Sequence, residues 1–576
     1  MTLDKIADQI FETDLLVVGG GLAGCMAALK ARDRGVQVLI MEKAAIRRSG
    51  DAGCGMDHFP GIVHPKFNAR VDGATPSWLS ETEKLTMSGF QKVADEYAIK
   101  ALREVEKIGV KVSEEDGEYK VQPMKILNLV YRDSGTSAEE HRQELEREIK
   151  KVGFILYRGA DLKLKLAAEV HRRGIQVLDR MMLCNLLTSD GNVVGATGVN
   201  VRTGKFVVVR AKVTILATGA ATRLYWHSEG TFPNNLFMLY HDPANCGDGI
   251  IAAYHAGARL ANMEFVDGHT NAVGLPRGFT LTWFKLQNTK GEDVLKKHWG
   301  NGKSAPLHPV FLRTMAAIKE REQGELVGWD PTQLPDDAEM WWQFMAANER
   351  PYSLKLLRAI GGLKNAPRES RFWYHGVLRD LGGVLIDLNG QTALKGLYAA
   401  GDIVGGGKAG ATTAVAWGYR EGEMAAEYAQ AIAHLPIDED QVKNDRERAL
   451  APLARADGIH PLEMENIVRK IITEYVGLVK SEAKLKRGLE QLEFIQNDYV
   501  PQLRARNPHE LMRALEAQSV LQVGLMHART SLLREESRFI PSHYREDFSE
   551  RDDARWNKSI VLWQREGQME YALQEL

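Results

Sequence analysis

Two glycine-rich runs nearly repeat one another along this chain, GGGLAG at 19–24 and GGGKAG at 405–410. A glycine run between a strand and a helix can do a defined job. Its bare backbone approaches the phosphates of a dinucleotide, and the helix N-terminus supplies N–H groups to them. The first run has that setting. DLLVV (14–18) reads as a fully buried strand, AGCMAALKARDRG as a helix ending at Gly35, and VQVLIMEK as a second strand with Glu42 at its end. Gly19 permits the tight turn, Gly21 lets backbone approach a pyrophosphate, and Gly24 lets helix pack on strand. Glu42 follows Gly24 at close to the ~20-residue spacing of an acid that bonds a ribose hydroxyl. No strand-ending acid follows the second run at that distance, and a helix, ATTAVAWGYREGEMAAEYAQ, begins at once. One dinucleotide site is expected, and GGGKAG does not read as a second, nicotinamide site.

The elements that must position these loops follow from periodicity. GADLKLKLAAEVHRRG (159–174) reads as a helix, and strands lie within 175–201 and 205–219, with Asp190-Gly191 as a hairpin turn. The last of these strands runs into Ala217-Thr218-Gly219, a small-residue turn that would bring a second backbone edge to the cofactor. From about Met263 to Arg371 tryptophans, prolines and polar turns interrupt the pattern, and a sheet-like run returns over 382–402. A segment inserted between two parts of one sheet predicts a lid-like domain. After about Pro436 amphipathic helices dominate.

Bulk properties exclude several classes. At 576 residues, 44% hydrophobic and 26% charged, the chain has the composition of a globular protein with several domains. Its 74 Lys+Arg against 76 Asp+Glu give a formal charge of −2, without a basic tail for nucleic acid. Cys25, Cys54, Cys184 and Cys246 are scattered with no C-x-x-C, which excludes a four-cysteine iron–sulfur cluster at usual spacings and a disulfide framework. The polar start and the glycine-broken apolar run at 15–31 predict neither a signal peptide nor a membrane span, and so a cytoplasmic location, peripheral to a membrane only through a partner.

GGGLAG, Glu42, ILATG, GDGI (247–250), GARLANMEF (257–265), LGGVLID, GLYAAGD and ESR…YREDF…ERDDARW occur in that order over nearly the whole chain. The sequence resembles the flavoprotein subunits of the succinate dehydrogenase and fumarate reductase superfamily. RRSGDAG, LTWFKLQNTKGED and the lysine in GGKAG make it most similar to the adenylylsulfate reductase alpha-subunit branch. The resemblance implies an α/β fold: a Rossmann-like FAD-binding domain (1–264 and 372–435) split by a capping domain (265–371), then a mainly helical C-terminal domain (436–576). It implies cofactor contacts from Gly19, Gly21, Leu22, Ala23, Gly24, Glu42, Lys43, Ser49, Gly50, Gly53, Ala217, Thr218, Gly219, Asp248, Gly401, Asp402, Thr412 and Thr413. Asp402 would bond the flavin ribityl chain. Gly50 stands where tethering relatives carry histidine, so FAD is expected to be noncovalent.

The same resemblance places His269 at the first substrate histidine and Arg313 at the proton-transfer arginine. Two departures bear on substrate. The second histidine would fall at Leu378, with His375 and Arg379 nearby, and the clamping arginine is replaced by Lys408, a point charge in place of a planar fork. The reading is an oxidoreductase acting on a small anionic substrate at flavin N5, exchanging electrons with a ferredoxin-like iron–sulfur subunit. The alternatives are a fumarate reductase or succinate dehydrogenase with an altered clamp, and a non-catalytic flavin electron carrier. No metal ligands are expected.

Overall fold

The buried apolar run Leu15–Val18 forms the middle of a seven-stranded sheet, where both faces of a strand are covered and alternation disappears. In this computed structural model the described residues are 2–55, 58–60, 85, 87, 89–112, 114–115, 118–119, 121–123, 153–156, 159–226, 237–239, 241–272, 286–299, 309–330, 343, 351–365, 373–380, 382–407, 410–540 and 542–576. The opening strand Gln9–Val18 pairs in parallel with Val38–Glu42 on one side and with Phe206–Leu216 on the other, and Gln176–Asp179 extends the sheet beyond Val38–Glu42. Phe206–Leu216 serves two partners in succession. Its first half pairs antiparallel with Asn192–Asn200, and Thr214–Leu216 pairs in parallel with Leu397–Ala399 from far along the chain. Met181–Ser189 closes this edge through a two-residue turn in which Asp190 (φ 48°) and Gly191 (φ 74°) are both left-handed, the I′ geometry of tight hairpins.

Because these central strands are parallel, Val18, Glu42, Leu216 and Ala399 all end at the same rim. The helix Leu22–Asp33 leaves that rim and packs against Ala411–Ala431. Glycines permit the contact: a Cβ at Gly418 would overlap the Ala23 carbonyl, and one at Gly422 the Ala27 carbonyl.

The inserted segment begins and ends in paired strands. Val266–Ala272 runs antiparallel to Trp373–Asp380, which takes Phe237–Leu239 as its parallel neighbour. The helix Pro309–Glu322 belongs to the same insertion.

Helices Glu439–Ala454, Pro461–Tyr475, Glu482–Phe494 and Pro508–Leu533 make the C-terminal region mainly helical, as the periodicity predicts. The sequence reading missed its last element, a hairpin of Ser559–Arg565 and Gln568–Gln574 that extends the short strands Leu260–Ala261 and Gly383–Val384. The seam between this region and the sheet shares an apolar core and also carries buried ion pairs. Lys43 pairs with Asp248 and Glu516 at 3.1 Å each, and Arg223 joins Glu516 (3.0 Å) to Glu465 (2.8 Å). In a second cluster, fully buried Arg534 pairs with Glu264 (2.7 Å) and Glu536 (2.9 Å) and donates to the carbonyls of Trp556 and Lys558. Among the described residues no helix is long and apolar enough to cross a membrane.

Candidate active site

At the common rim, backbone hydrogen bonds tie the strand ends together. Gly19 N–H donates to Met41 (2.8 Å), Ala217 N–H to Val18 (2.8 Å) and Ala400 N–H to Leu216 (2.9 Å). The loops that follow therefore start from fixed points. Gly19 turns at φ 99°, and a side chain there would strike the Ala217 carbonyl; a Cβ at Gly24 would overlap the Gly19 carbonyl oxygen. Both positions exclude every residue but glycine by contact, not by propensity alone.

Glu42 is buried at the end of its strand and locks the loop: Oε2 accepts from Gly20 N–H at 2.6 Å and Oε1 from Ala44 N–H at 2.7 Å. Gly21 is the N-cap of the Leu22–Asp33 helix, no side chain caps the helix there, and a Cβ on Gly21 would meet nothing within 4 Å. The helix end thus presents N–H groups beside an open glycine surface, the arrangement that receives a pyrophosphate. Ala23 lies against Gly401 (φ 82°), whose Cβ would come within 3.0 Å of the Ala23 methyl. Ser49 Oγ donates to Gly20 O (3.3 Å), Gly50 (φ 77°) packs on Gly21, and a Cβ at Gly53 would overlap the Arg48 carbonyl. Asp402 Oδ1 accepts from Gly410 N–H (3.1 Å), bridging the base of the second glycine run to the helix Ala411–Ala431, itself capped only by glycine.

Thr218 Oγ1 and Thr412 Oγ1 are buried with no hydrogen-bond partner among the described residues, and Thr413 is buried beside Thr412. Gly219 (φ 78°) turns against Asn245. Buried hydroxyls of this kind need a partner. Together with the glycine cradle and two glycine-capped helix ends, they fit a flavin dinucleotide. Lys43 and Asp248 pair with each other. Burial alone would depress the Lys43 ammonium, but Asp248 and Glu516 outweigh it and hold it well above the usual lysine value, while the ammonium also donates to Ala244 O at 2.7 Å.

Sequence reasoning missed a clamp at this rim. Asp242 Oδ2 accepts from Gly50 N–H (3.1 Å), Asp51 Oδ1 accepts from Asp242 N–H (2.8 Å), and Asn245 Nδ2 donates to both Asp51 oxygens (3.2 and 3.3 Å). His241 Nδ1 lies 2.9 Å from Asp51 Oδ2. One atom each of Asp51, His241 and Asp402 lie within 4.8 Å of one another. The signal was the polar string HDPAN just ahead of CGDG, set against the Asp that follows Gly50.

Of the substrate-side expectations, Lys408 lies outside the described residues, as do the side chains of His269, Arg313, His375 and Arg379. Their backbones are placed. His269 pairs with Gly376, Thr270 with His375, and Asp267 with Arg379, so the His269 strand and the 375–379 segment form one ladder. The register shifts between Asp267 and Gly268, leaving Leu378 as the extra residue of a bulge, at the position expected for a second histidine. Arg313 is in the first turns of Pro309–Glu322.

Comparison with known proteins agrees with this architecture. A family model described as an FAD binding domain matches residues 14–278, and one for the fumarate reductase flavoprotein C-terminus matches 465–575. The chain is 27% identical to a fumarate reductase (CoM/CoB) subunit of Methanothermobacter marburgensis, over 96% of this chain and 97% of that one. It is 25% identical to the L-aspartate oxidase of Streptomyces coelicolor, over 95% and 91%. Among solved structures, adenylylsulfate reductase of Archaeoglobus fulgidus superposes with a TM-score of 0.79 at 22% identity, covering 100% of this chain and 97% of that one. The quinol fumarate reductase of E. coli gives 0.75 at 20%, covering 99% and 97%. With the cradle, the two matched domains and the shared fold in agreement, the chain carries an FAD binding domain and a fumarate reductase flavoprotein C-terminal domain, and is an FAD-dependent oxidoreductase.

Proposed function

We propose that the enzyme acts on a small anionic substrate facing flavin N5 and exchanges electrons with a separate ferredoxin-like iron–sulfur partner, in the manner of an adenylylsulfate reductase alpha chain. The observation that carries this reading is the rim itself. It assembles one dinucleotide cradle at the first glycine run, and the second run passes directly into the helix Ala411–Ala431 without a ribose-binding acid. Electrons then need a route other than a nicotinamide. We assign 1–264 with 372–435 to the FAD-binding domain, 265–371 to the cap and 436–576 to the C-terminal domain. The strands at 266–272 and 373–380, which lie next to the two boundaries, pair with each other in a sheet separate from the main one.

Bound FAD supplies two-electron chemistry at N5 and one-electron exchange with a carrier. The chain's own residues do the rest. His269 and Lys408 hold the substrate anion, Arg313 stabilises charge that develops on it, and His375 or Arg379 adds a fourth contact from the neighbouring strand. The cap excludes water, which strengthens each of these charges. FAD is held without a covalent bond, since Gly50 stands at the tethering position. Acid denaturation should leave the yellow chromophore in the supernatant.

A second reading is favoured by the relative named as a fumarate reductase (CoM/CoB), which aligns end to end with this chain. In that case the carboxylate clamp is altered at Lys408 and Leu378. One experiment separates the two. The photoreduced enzyme is mixed anaerobically with fumarate or with adenylylsulfate, and flavin absorbance is followed. Rapid reoxidation by adenylylsulfate supports the first reading, and reoxidation by fumarate alone supports the second. Silence toward both, or rapid bleaching of oxidised enzyme by NADH, overturns the proposal. Lys408→Ala should mainly raise KM, and Arg313→Ala should lower kcat by roughly 10²-fold or more.

A further inference from the structure

We propose that Asn262 is a positioning residue whose side-chain amide, acting through Leu85 and Met87, holds the second glycine run in place. Three segments of the chain meet there. Asn262 follows the short strand Leu260–Ala261, Leu85 and Met87 lie just ahead of the helix Phe90–Lys107, and Gly405–Gly407 follow Asp402. Asn262 Nδ2 donates to Leu85 O at 2.9 Å, and two residues on Met87 N–H donates to Gly406 O at 2.7 Å. The Asn262 backbone is itself anchored, its N–H donating to Ile560 O of the terminal hairpin at 3.1 Å. Leu576, just after that hairpin, packs on Gly406, where a Cβ would stand 2.5 Å from the Leu576 Cδ1. On either side, Gly405 N–H donates to Val384 O (3.0 Å), and a Cβ at Gly407 would meet the Phe90 ring at 2.8 Å.

Asn262 is buried and left-handed, with φ 60°. Glycine would take this backbone freely, yet the chain carries asparagine, the side chain that tolerates it best. Its Oδ1 is buried with no hydrogen-bond partner among the described residues, a second local cost. Two such costs on one residue are expected where a position serves a site and not its own segment. Ser559 Oγ also donates to Leu85 O, but at 3.4 Å the contact is longer and weaker. The asparagine amide therefore carries the tie. Without it Leu85 is freed, Met87 N–H loosens, and Gly406 can shift. At a reacting centre a displacement of about 1 Å costs about 10²-fold in rate. The grip stands on these contacts alone; its link to turnover rests on the functional reading above, which assigns Lys408 of the same run to the substrate.

The test compares FAD-loaded full-length enzyme with Asn262→Gly, which keeps the backbone conformation and removes the amide. Amide hydrogen exchange, read by mass spectrometry, reports the Met87 N–H directly. Exchange there should quicken roughly fivefold or more, while the helix Leu22–Asp33 exchanges as in wild type. With fumarate or adenylylsulfate reoxidising the photoreduced enzyme, kcat/KM per bound flavin should fall about 10²-fold, and less in Ser559→Ala. Unchanged exchange at Met87 overturns the proposal whatever the substrate. Quickened exchange with unchanged kcat/KM per bound flavin, whether or not the variant melts lower, makes Asn262 purely structural and overturns the positioning role. Wild-type silence toward both substrates overturns the functional reading instead, and the exchange measurement alone then decides the grip. If Asn262→Gly does not fold, Asn262→Asp, which sets an acceptor against Leu85 O, is read by the same outcomes.

Discussion

At the sheet rim, Gly19 and Gly24 bring backbone against backbone, Gly401 lies against the Ala23 methyl, and Glu42 spends both its oxygens on loop amides. At the seam with the C-terminal helices, an equally dry interior is filled with full charges: Arg534 between Glu264 and Glu536, Arg538 beside them, and Lys480 and His527 wholly buried nearby. The difference teaches how each region resists change. The rim depends on shape, and a single methyl group is enough to spoil it. The seam depends on mutual compensation, so it tolerates change of shape but not the loss of one partner.

The largest effect should come from breaking the rim. Gly24→Ala places a Cβ on the Gly19 carbonyl, so the loop must move, and the purified protein should come off the column without FAD, read by its absent flavin absorbance. If the variant is as yellow as wild type, shape is not what governs the rim. Next is Arg534→Met. It leaves buried Glu264 without its cation, while Glu536 keeps Arg538, and should cost about 3–5 kcal/mol, measured by denaturant unfolding. A neutral result would mean the seam is not compensated through this arginine.

A third prediction sharpens the electrostatic side through pH. Burial, with Arg545 adding to it and Glu264 opposing, pushes the Lys480 ammonium down to about 7. The unfolded chain keeps that proton up to the ordinary value of 10.5. Between those limits the unfolded state binds more protons, so this lysine's cost is full below pH 7 and is relieved as pH rises. Lys480→Met should melt higher than wild type at pH 7, with the gap narrowing toward pH 9.5. Burial likewise pushes His527 down to about 3, so its contribution to stability is lost as pH falls below 6.5.

The smallest effect is the control for the first. Gly567 has φ 78° in the terminal hairpin turn, and a Cβ there meets nothing within 4 Å. Gly567→Ala should cost only about 1 kcal/mol of backbone strain. The same methyl group would then remove a cofactor at one glycine and shift a melting curve slightly at another.

The sequence made the rim legible and the seam almost invisible. GGGLAG, Glu42 and ATG carry their own spacing, because strand, turn and helix are contiguous there, and the structure places each as the periodicity suggests. Asp51 and His241 stand 190 residues apart in number and meet only through the fold, as do Arg223 and Glu516. Lys43 shows the same limit. It sits inside a legible motif, yet its ammonium is claimed by Asp248 and by Glu516 from a helix near the far end of the chain. The terminal hairpin was also missed, since Glu566 (φ 50°) adopts a left-handed turn that its residue type does not advertise.

The shared strand Phe206–Leu216 carries one more consequence, which concerns how the protein is made. Its parallel partner Leu397–Ala399 is synthesised roughly 180 residues later, at typical elongation rates some 10–40 s after it. Until then the upper half of that strand has an unpaired edge, and Asp402 and the second glycine loop do not yet exist. A nascent chain can therefore form the first glycine loop early but cannot close the pocket around FAD. The exposed edge over Thr214–Leu216 is the place where a stalled or truncated chain would meet a chaperone or another nascent strand.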